Sequence, residues 1–315
     1  MGLAYHNLST MLEAGVPMVR SITTISSGLD TTVKRAFVEV ADGISMGNTL
    51  AETMARNPHV FDPLDVMVIK AAETAGSLPE SLGLLGKWHE FQQSIFKKIL
   101  SGCMLPIFLI HATAVLAPLT AFFLGGWVVE TYVQSVLTIL LIFYIPTMLI
   151  FAVVRFTPKR GPLRTLLDRV ILKIPVLGKA VYRLSLSRFC WVFHMLCKAA
   201  VPATSAAQTS VNALGNARVA KLFAGGADSV KAGNVISDGF SRKLPGEFLD
   251  IWRVGEETGK LDDMTRKLAE INGENADFLF TEFASWLPRV VYFLIVCFMV
   301  YCIIRGVLLI YAPIL

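Results

Sequence analysis

The sequence predicts an all-α fold, with two homologous helical bundles and three transmembrane helices. Three observations carry that expectation. Two uncharged runs, Ile99–Val129 and Thr131–Val154, flank the single acid Glu130, and each can cross ~30 Å of hydrocarbon at ~1.5 Å per residue. The remainder is punctuated by helix starts and stops, with almost no strand signal. A Glu-x-x-Gly-x-Leu frame occurs twice, as Glu73–Leu78 and Glu256–Leu261, at a shift of 183 residues. Each copy leads through an amphipathic helix into an apolar run, so the duplication extends into the membrane segments.

Composition agrees. With 54% apolar and only 17% charged residues over 315 positions, the chain falls among membrane proteins that keep sizeable soluble parts. Its formal charge of +5 is too small to imply direct contact with nucleic acid. Location matters more than size. Lys97 and Lys98 precede the first run, and Arg155, Lys159, Arg160 and Arg164 follow the second, whereas the turn Gly125–Glu130 has no basic residue. The positive-inside rule then places both flanks in the cytoplasm and the turn outside.

The expected order is a first cytoplasmic domain at 1–98, spans at 99–124 and 131–154, a basic connector and second cytoplasmic domain at 155–286, and a third span at 287–311. The return helix at 131–154 is required, because two bundles with one outgoing helix each would otherwise lie on opposite sides. Arg305 interrupts the third run and costs ~3 kcal/mol at mid-membrane on insertion scales. It either meets an acid such as Glu130 of a neighbouring chain or snorkels to the outer face. Met1–Met18 contains no long apolar stretch, so no signal peptide is expected.

Within the first copy, Leu8, Met11 and Leu12 mark a helix ending at Ala14-Gly15, and Pro17 suits the first turn of the next. A third helix is expected over Thr31–Ala41, broken at Gly43-Ile44-Ser45. Thr49 and Glu52 have capping-box spacing for a fourth, and Leu64, Val68 and Ile69 give a fifth its buried side. Gly76 is placed to end that helix in the left-handed conformation, with Ser77 and Glu80 capping the long helix that follows. The second copy repeats the grammar: Ala14-Gly15-Val16-Pro17 pairs with Ala199-Ala200-Val201-Pro202, and Gly43-Ile44-Ser45 with Gly233-Asn234-Val235.

Chemistry-bearing constellations are missing from this reading. The five histidines lack metal-binding spacing, no phosphate-cradling Gly-rich loop occurs, and Cys103, Cys190, Cys197, Cys297 and Cys302 read as reduced small hydrophobes. No enzyme activity, cofactor or metal is expected. Glu73 and Glu256 are read as carboxylates that fix an interhelix corner, with a functional contact as the alternative.

The order Gly-Val-Pro, Gly-x-Ser, Phe-x-Pro, Glu-x-x-Gly-x-Leu in the first copy, echoed by Ala-Val-Pro, Gly-Asn-Val and Glu-x-x-Gly-x-Leu in the second, with one outgoing, one returning and one further apolar run, resembles the type II secretion system F protein family. That family includes the inner-membrane platform proteins of type IV pilus assembly. The matching positions are Gly15, Pro17, Gly43, Glu73, Gly76 and Leu78, then Pro202, Gly233, Gly255, Glu256, Gly259 and Leu261. Departures are Ala72 before Glu73, Ala200 in place of Gly, Asn234-Val235 in place of the usual small-residue pattern, and the lack of the longer members' additional N-terminal segment. The resemblance implies six-helix bundles and an assembly-platform role in the bacterial inner membrane, with homo-oligomerisation. It also implies three kinds of partner: a cytoplasmic hexameric assembly ATPase, pilin or pseudopilin subunits, and other inner-membrane assembly components. A membrane carrier or channel subunit is the alternative function.

Overall fold

The computed structural model describes residues 1–119, 122, 129–156 and 162–311, and among these the regular structure is helical, without a strand. The first copy supplies α1 (Gly2–Glu13), α2 (Met18–Ser26), α3 (Thr31–Ser45), α4 (Leu50–Ala55), α5 (Pro63–Ala75) and α6 (Leu78–Leu116). Next come α7 (Val129–Phe156) and α8 (Pro162–Lys173). The second copy supplies α9 (Leu177–Lys198), α10 (Ala203–Asn212), α11 (Ala217–Phe223), α12 (Gly226–Lys231), a 3-10 turn (Ile236–Gly239), α13 (Gly246–Thr258) and α14 (Leu261–Tyr311).

Helices of both copies form one compact unit, Met1–Ser94 with Ala180–Ala276. Its first half buries Tyr5, Leu8, Ile22, Phe37, Met54, Phe61, Val68, Ile69, Leu82, Leu85 and Trp88. The second half is held by an aromatic cluster in which Phe189 stacks on Phe223 at 3.9 Å between ring centroids and Trp252 meets Phe193 edge-on at 5.0 Å. Between the halves, the guanidinium of Arg188 lies 5.5 Å from the ring centroid of Trp88, and Lys198 bridges Glu80 and Asp262 at 3.7 and 3.4 Å. Burial pulls the Arg188 pKa down from its ordinary value.

The second unit comprises Ile95–Lys179 and Asp277–Leu315. Among the described residues two helices are long and apolar enough to cross a membrane, Leu78–Leu116, which enters this unit at Ile95, and Val129–Leu149, along which large apolar side chains such as Leu141, Ile145 and Leu149 stand exposed. Polar groups here serve one another: His111 donates from Nδ1 to the Ile107 carbonyl, which leaves Nε2 to accept from the Tyr144 hydroxyl at 3.2 Å. Tyr132 donates to the Val115 carbonyl at 3.0 Å. Lys98 is held by both oxygens of Asp277 at 2.5 Å, and nearby Gly102 faces Ala284 so closely that a Cβ there would stand 2.6 Å from the alanine methyl.

Three expectations about local grammar change. Gly43 does not break α3, which continues to Ser45, and its missing side chain instead admits the Thr53 methyl of α4. The turn that ends α3 is carried by Gly47 (φ +90°), and its counterpart after α12 is Gly233 (φ +83°). Gly233 therefore pairs with Gly47 rather than Gly43. The same hydrogen bonds close both turns, Asn48 N–H to Gly43 and Asn234 N–H to Ser229. Pro17 and Pro202 occupy the cap position before their helices rather than the first turn, with nearly identical backbone angles.

Ala200 is the strained member of the set. Gly15 (φ +78°) and Ala200 (φ +55°) both end a helix in the left-handed region, and both are followed by a valine N–H bonded to a carbonyl five residues back, at 2.9 Å. Only glycine adopts that conformation without crowding its Cβ. Ala200→Gly is expected to stabilise the purified chain by about 1 kcal/mol, and Gly15→Ala to destabilise it by a similar amount, by thermal unfolding in detergent.

Candidate functional site

Each copy turns a corner into its long helix, and there a glutamate holds the start of a neighbouring element. Thr49 and Glu52 form the expected capping box on α4, satisfying the N–H groups of Glu52 and Thr49. The first two amides of that helix remain. Glu73 on α5 accepts both, from Leu50 at 2.6 Å and Ala51 at 3.1 Å, which also sets its negative charge against the positive end of the helix. Three residues on, Gly76 (φ +71°) ends α5, and Ser77 N–H closes on the Ala72 carbonyl at 2.9 Å.

The second copy repeats the device. Glu256 on α13 accepts from the Ser237 N–H at 3.0 Å, the Ser237 hydroxyl at 2.5 Å and the Trp252 indole at 3.0 Å, and Gly259 (φ +68°) ends the helix. The held element is a 3-10 turn rather than an α-helix. Leu78 and Leu261, the last residues of the repeated frame, begin α6 and α14. The capping box expected at Ser77 and Glu80 does not form: the Ser77 hydroxyl is buried without a partner, and Glu80 lies near Lys198 instead. The Gly76 turn already satisfies the Ser77 N–H, which removes one of the bonds such a box would make.

Paired contacts invisible in the motif fix the long helices against the bundles. The Ser9 hydroxyl of α1 donates to the Pro79 carbonyl at 2.7 Å, and His194 of α9 reaches the Asp262 carbonyl with Nδ1 at 2.9 Å. Both acceptors sit at the second position of the long helix. Burial lowers the pKa of His194, keeping the imidazole neutral with its proton on Nδ1. The copies also trade bulk across the corner: a Cβ on Gly255 would stand 2.9 Å from the Met264 Cβ, whereas the corresponding first-copy positions hold Ala72 and the smaller Ser81, both fully buried.

Sequence reading missed one buried cluster. Asp65 on α5 accepts from the Tyr5 hydroxyl at 2.9 Å and lies 2.9 Å from Nε2 of His89, tying α1, α5 and α6 together. Burial, with the carboxylate beside it, raises the Tyr5 pKa well above its ordinary value. A signal existed: Asp65 stands three and four residues before Val68 and Ile69, on the face that must be buried. The corner also borders an open groove of about 440 Å³ along α4 and α5, lined in part by Thr49, Ala55, Lys70 and Glu73.

The basic candidates are divided. Lys98 is paired with Asp277, while Lys97 makes no corresponding bridge in the described geometry. Lys159 and Arg160 lie outside the described residues, as do the side chains of Arg155 and Arg305. Among the described residues no group of three His, Cys, Asp or Glu is placed to hold a metal ion. Burial raises the thiol pKa of Cys190 and pushes that of Cys197 up to about 12, so neither thiolate forms at neutral pH.

The bulk exchange at the corner gives a direct test. Gly255→Ala is expected to cost roughly 1–3 kcal/mol in thermal unfolding through overpacking against Met264, and Met264→Ser in the same chain should recover part of that loss.

The family model for the type II secretion system (T2SS), protein F, matches residues 4–126 and again 189–313. A type IV pilus assembly protein, PilC, from Pseudomonas aeruginosa is 26% identical over 300 residues, covering 88% of this chain and 80% of that protein. The type II secretion system protein F of Xanthomonas campestris is 25% identical over 288 residues, covering 84% and 70%, and that of Vibrio cholerae is 22% identical over 296 residues, covering 88% and 73%. The two matched segments start at the offset that separates Gly15 from Ala200, so the family domain and that pair of helix-ending turns describe the same duplication. The chain belongs to the type II secretion system protein F family and carries its domain twice.

Proposed function

We propose that this chain is the inner-membrane assembly platform of a type II secretion or type IV pilus system, without enzyme activity of its own. The observation that carries the reading is the twice-matched family domain, combined with two helices long and apolar enough to span a bilayer. Relatives named for both kinds of machinery support it. In this reading spans at 99–124, 131–154 and 287–311 leave the domains at 1–98 and 155–286 in the cytoplasm, and Lys97, Lys98, Arg155, Lys159 and Arg160 mark that side. Arg305 lies toward the outer end of the third span.

The work expected of such a platform is mechanical. A cytoplasmic hexameric ATPase binding the bundles moves them, and α6 and α14, each unbroken from its corner, carry the displacement to pilin or pseudopilin subunits in the bilayer. The corner residues Glu73, Gly76, Glu256 and Gly259 set the angle at which each rod leaves its bundle. A carrier or channel needs polar groups facing a path, and of those described on α6 and α7 His111, Tyr132 and Tyr144 are engaged with the helices themselves, which leaves little beyond Gln134 to line one.

Reporter fusions after Lys179 are expected to be cytoplasmic, and gentle purification from the native host should recover an assembly ATPase and a pilin-like subunit. A periplasmic reporter at that position, or repeated recovery of neither partner, contradicts the proposal.

A further inference from the structure

We infer that α8 is a lipid-surface helix, lying along the cytoplasmic leaflet with its apolar stripe among the acyl chains and its basic residues on anionic headgroups. The inference rests on the topology proposed above, in which α7 crosses the bilayer. Helix α8 begins six peptide steps after the last residue of α7, Phe156, so its start lies within about 20 Å of that end. A helix tethered so closely to a span stays within reach of the headgroups.

Its surface has the matching character. Leu166 and Val170 stand at helical spacing and are 57 and 53% exposed, and Ile174, one residue past the helix end, is 38% exposed, an apolar stripe uncovered by the chain itself. Arg169 and Lys173 are exposed beside it, whereas the helix's acid, Asp168, is 2% exposed and has a partner. Every exposed charge described on α8 is therefore basic. Apolar side chains flanked by cations, with the anion withdrawn, are the pattern of a helix that lies in a membrane interface. The turn that follows is tight: Gly178 N–H bonds the Ile174 carbonyl at 2.8 Å, and a side chain at Gly178 would strike the Leu172 carbonyl. That turn fixes the end of the helix against the start of α9.

Photocrosslinking in the full-length chain tests this. Benzoylphenylalanine replaces Leu166, Val170, Leu141 or Glu247, one at a time, in vesicles of phosphatidylethanolamine with or without phosphatidylglycerol. Leu141 reports on the α7 span and Glu247 on a water-exposed surface. Phospholipid adducts are expected at 141, 166 and 170 but not at 247. Yields at 166 and 170 should rise severalfold with phosphatidylglycerol, and Arg169→Gln with Lys173→Gln should remove that rise. Lipid adducts at 141 together with protein adducts or none at 166 and 170 overturn the inference alone. Absence of lipid adducts at 141 as well overturns the topology beneath it, and equal yields in both vesicles overturn the anionic contact.

Discussion

A carboxylate set on the first amides of a short helical element is the interaction on which the rest of the architecture depends. The opening turn of a helix has N–H groups with no partner in the helix itself, and leaving them buried and unmet costs more than a typical hydrogen bond returns. Glu73 and Glu256 meet that requirement from the last turn of the neighbouring helix, and a left-handed glycine three residues later redirects the chain into the long rod. The placement of each rod is thereby coupled to the placement of a small element in the bundle. Neither glutamate needs a catalytic role to explain its position.

The duplication has diverged in how each contact is made while keeping where it is made. Ser9 and His194 reach the same carbonyl position by different chemistry, and Ala72 with Ser81 exchanges bulk with Gly255 and Met264. The single helix α3 corresponds to the pair α11 and α12, interrupted where Gly225 approaches the backbone of Gly239. The core chemistry has separated further. One half ties its helices through Tyr5, Asp65 and His89, and the other relies on aromatics packed edge-on and face-on around Trp252. A polar core anchors direction and an aromatic core supplies area, so the two bundles reach the same topology under different constraints.

Elements governed by local rules were legible in the sequence. Helix class, the Thr49–Glu52 cap, the left-handed Gly76 and the two apolar helices all follow from spacing and backbone preference. Features decided by packing across the chain were not. Gly43 carries no turn because its role is to admit Thr53, and Ser77 forms no box because the glycine turn already engages its amide. The held amides of Leu50 and Ser237 lie 23 and 19 residues from Glu73 and Glu256, beyond any local pattern, although a carboxylate repeated beside a helix-ending glycine pointed to the corner.

Hydrogen exchange on the full-length chain addresses that corner most directly. The amides of Leu50 and Ala51 are expected to be protected in the native protein. In Glu73→Ala they should exchange at least tenfold faster, with α1 and α2 unchanged, and Glu256→Ala should do the same at Ser237. Unaltered protection of these amides in both variants would contradict the claim that the glutamates hold the bundles to their rods.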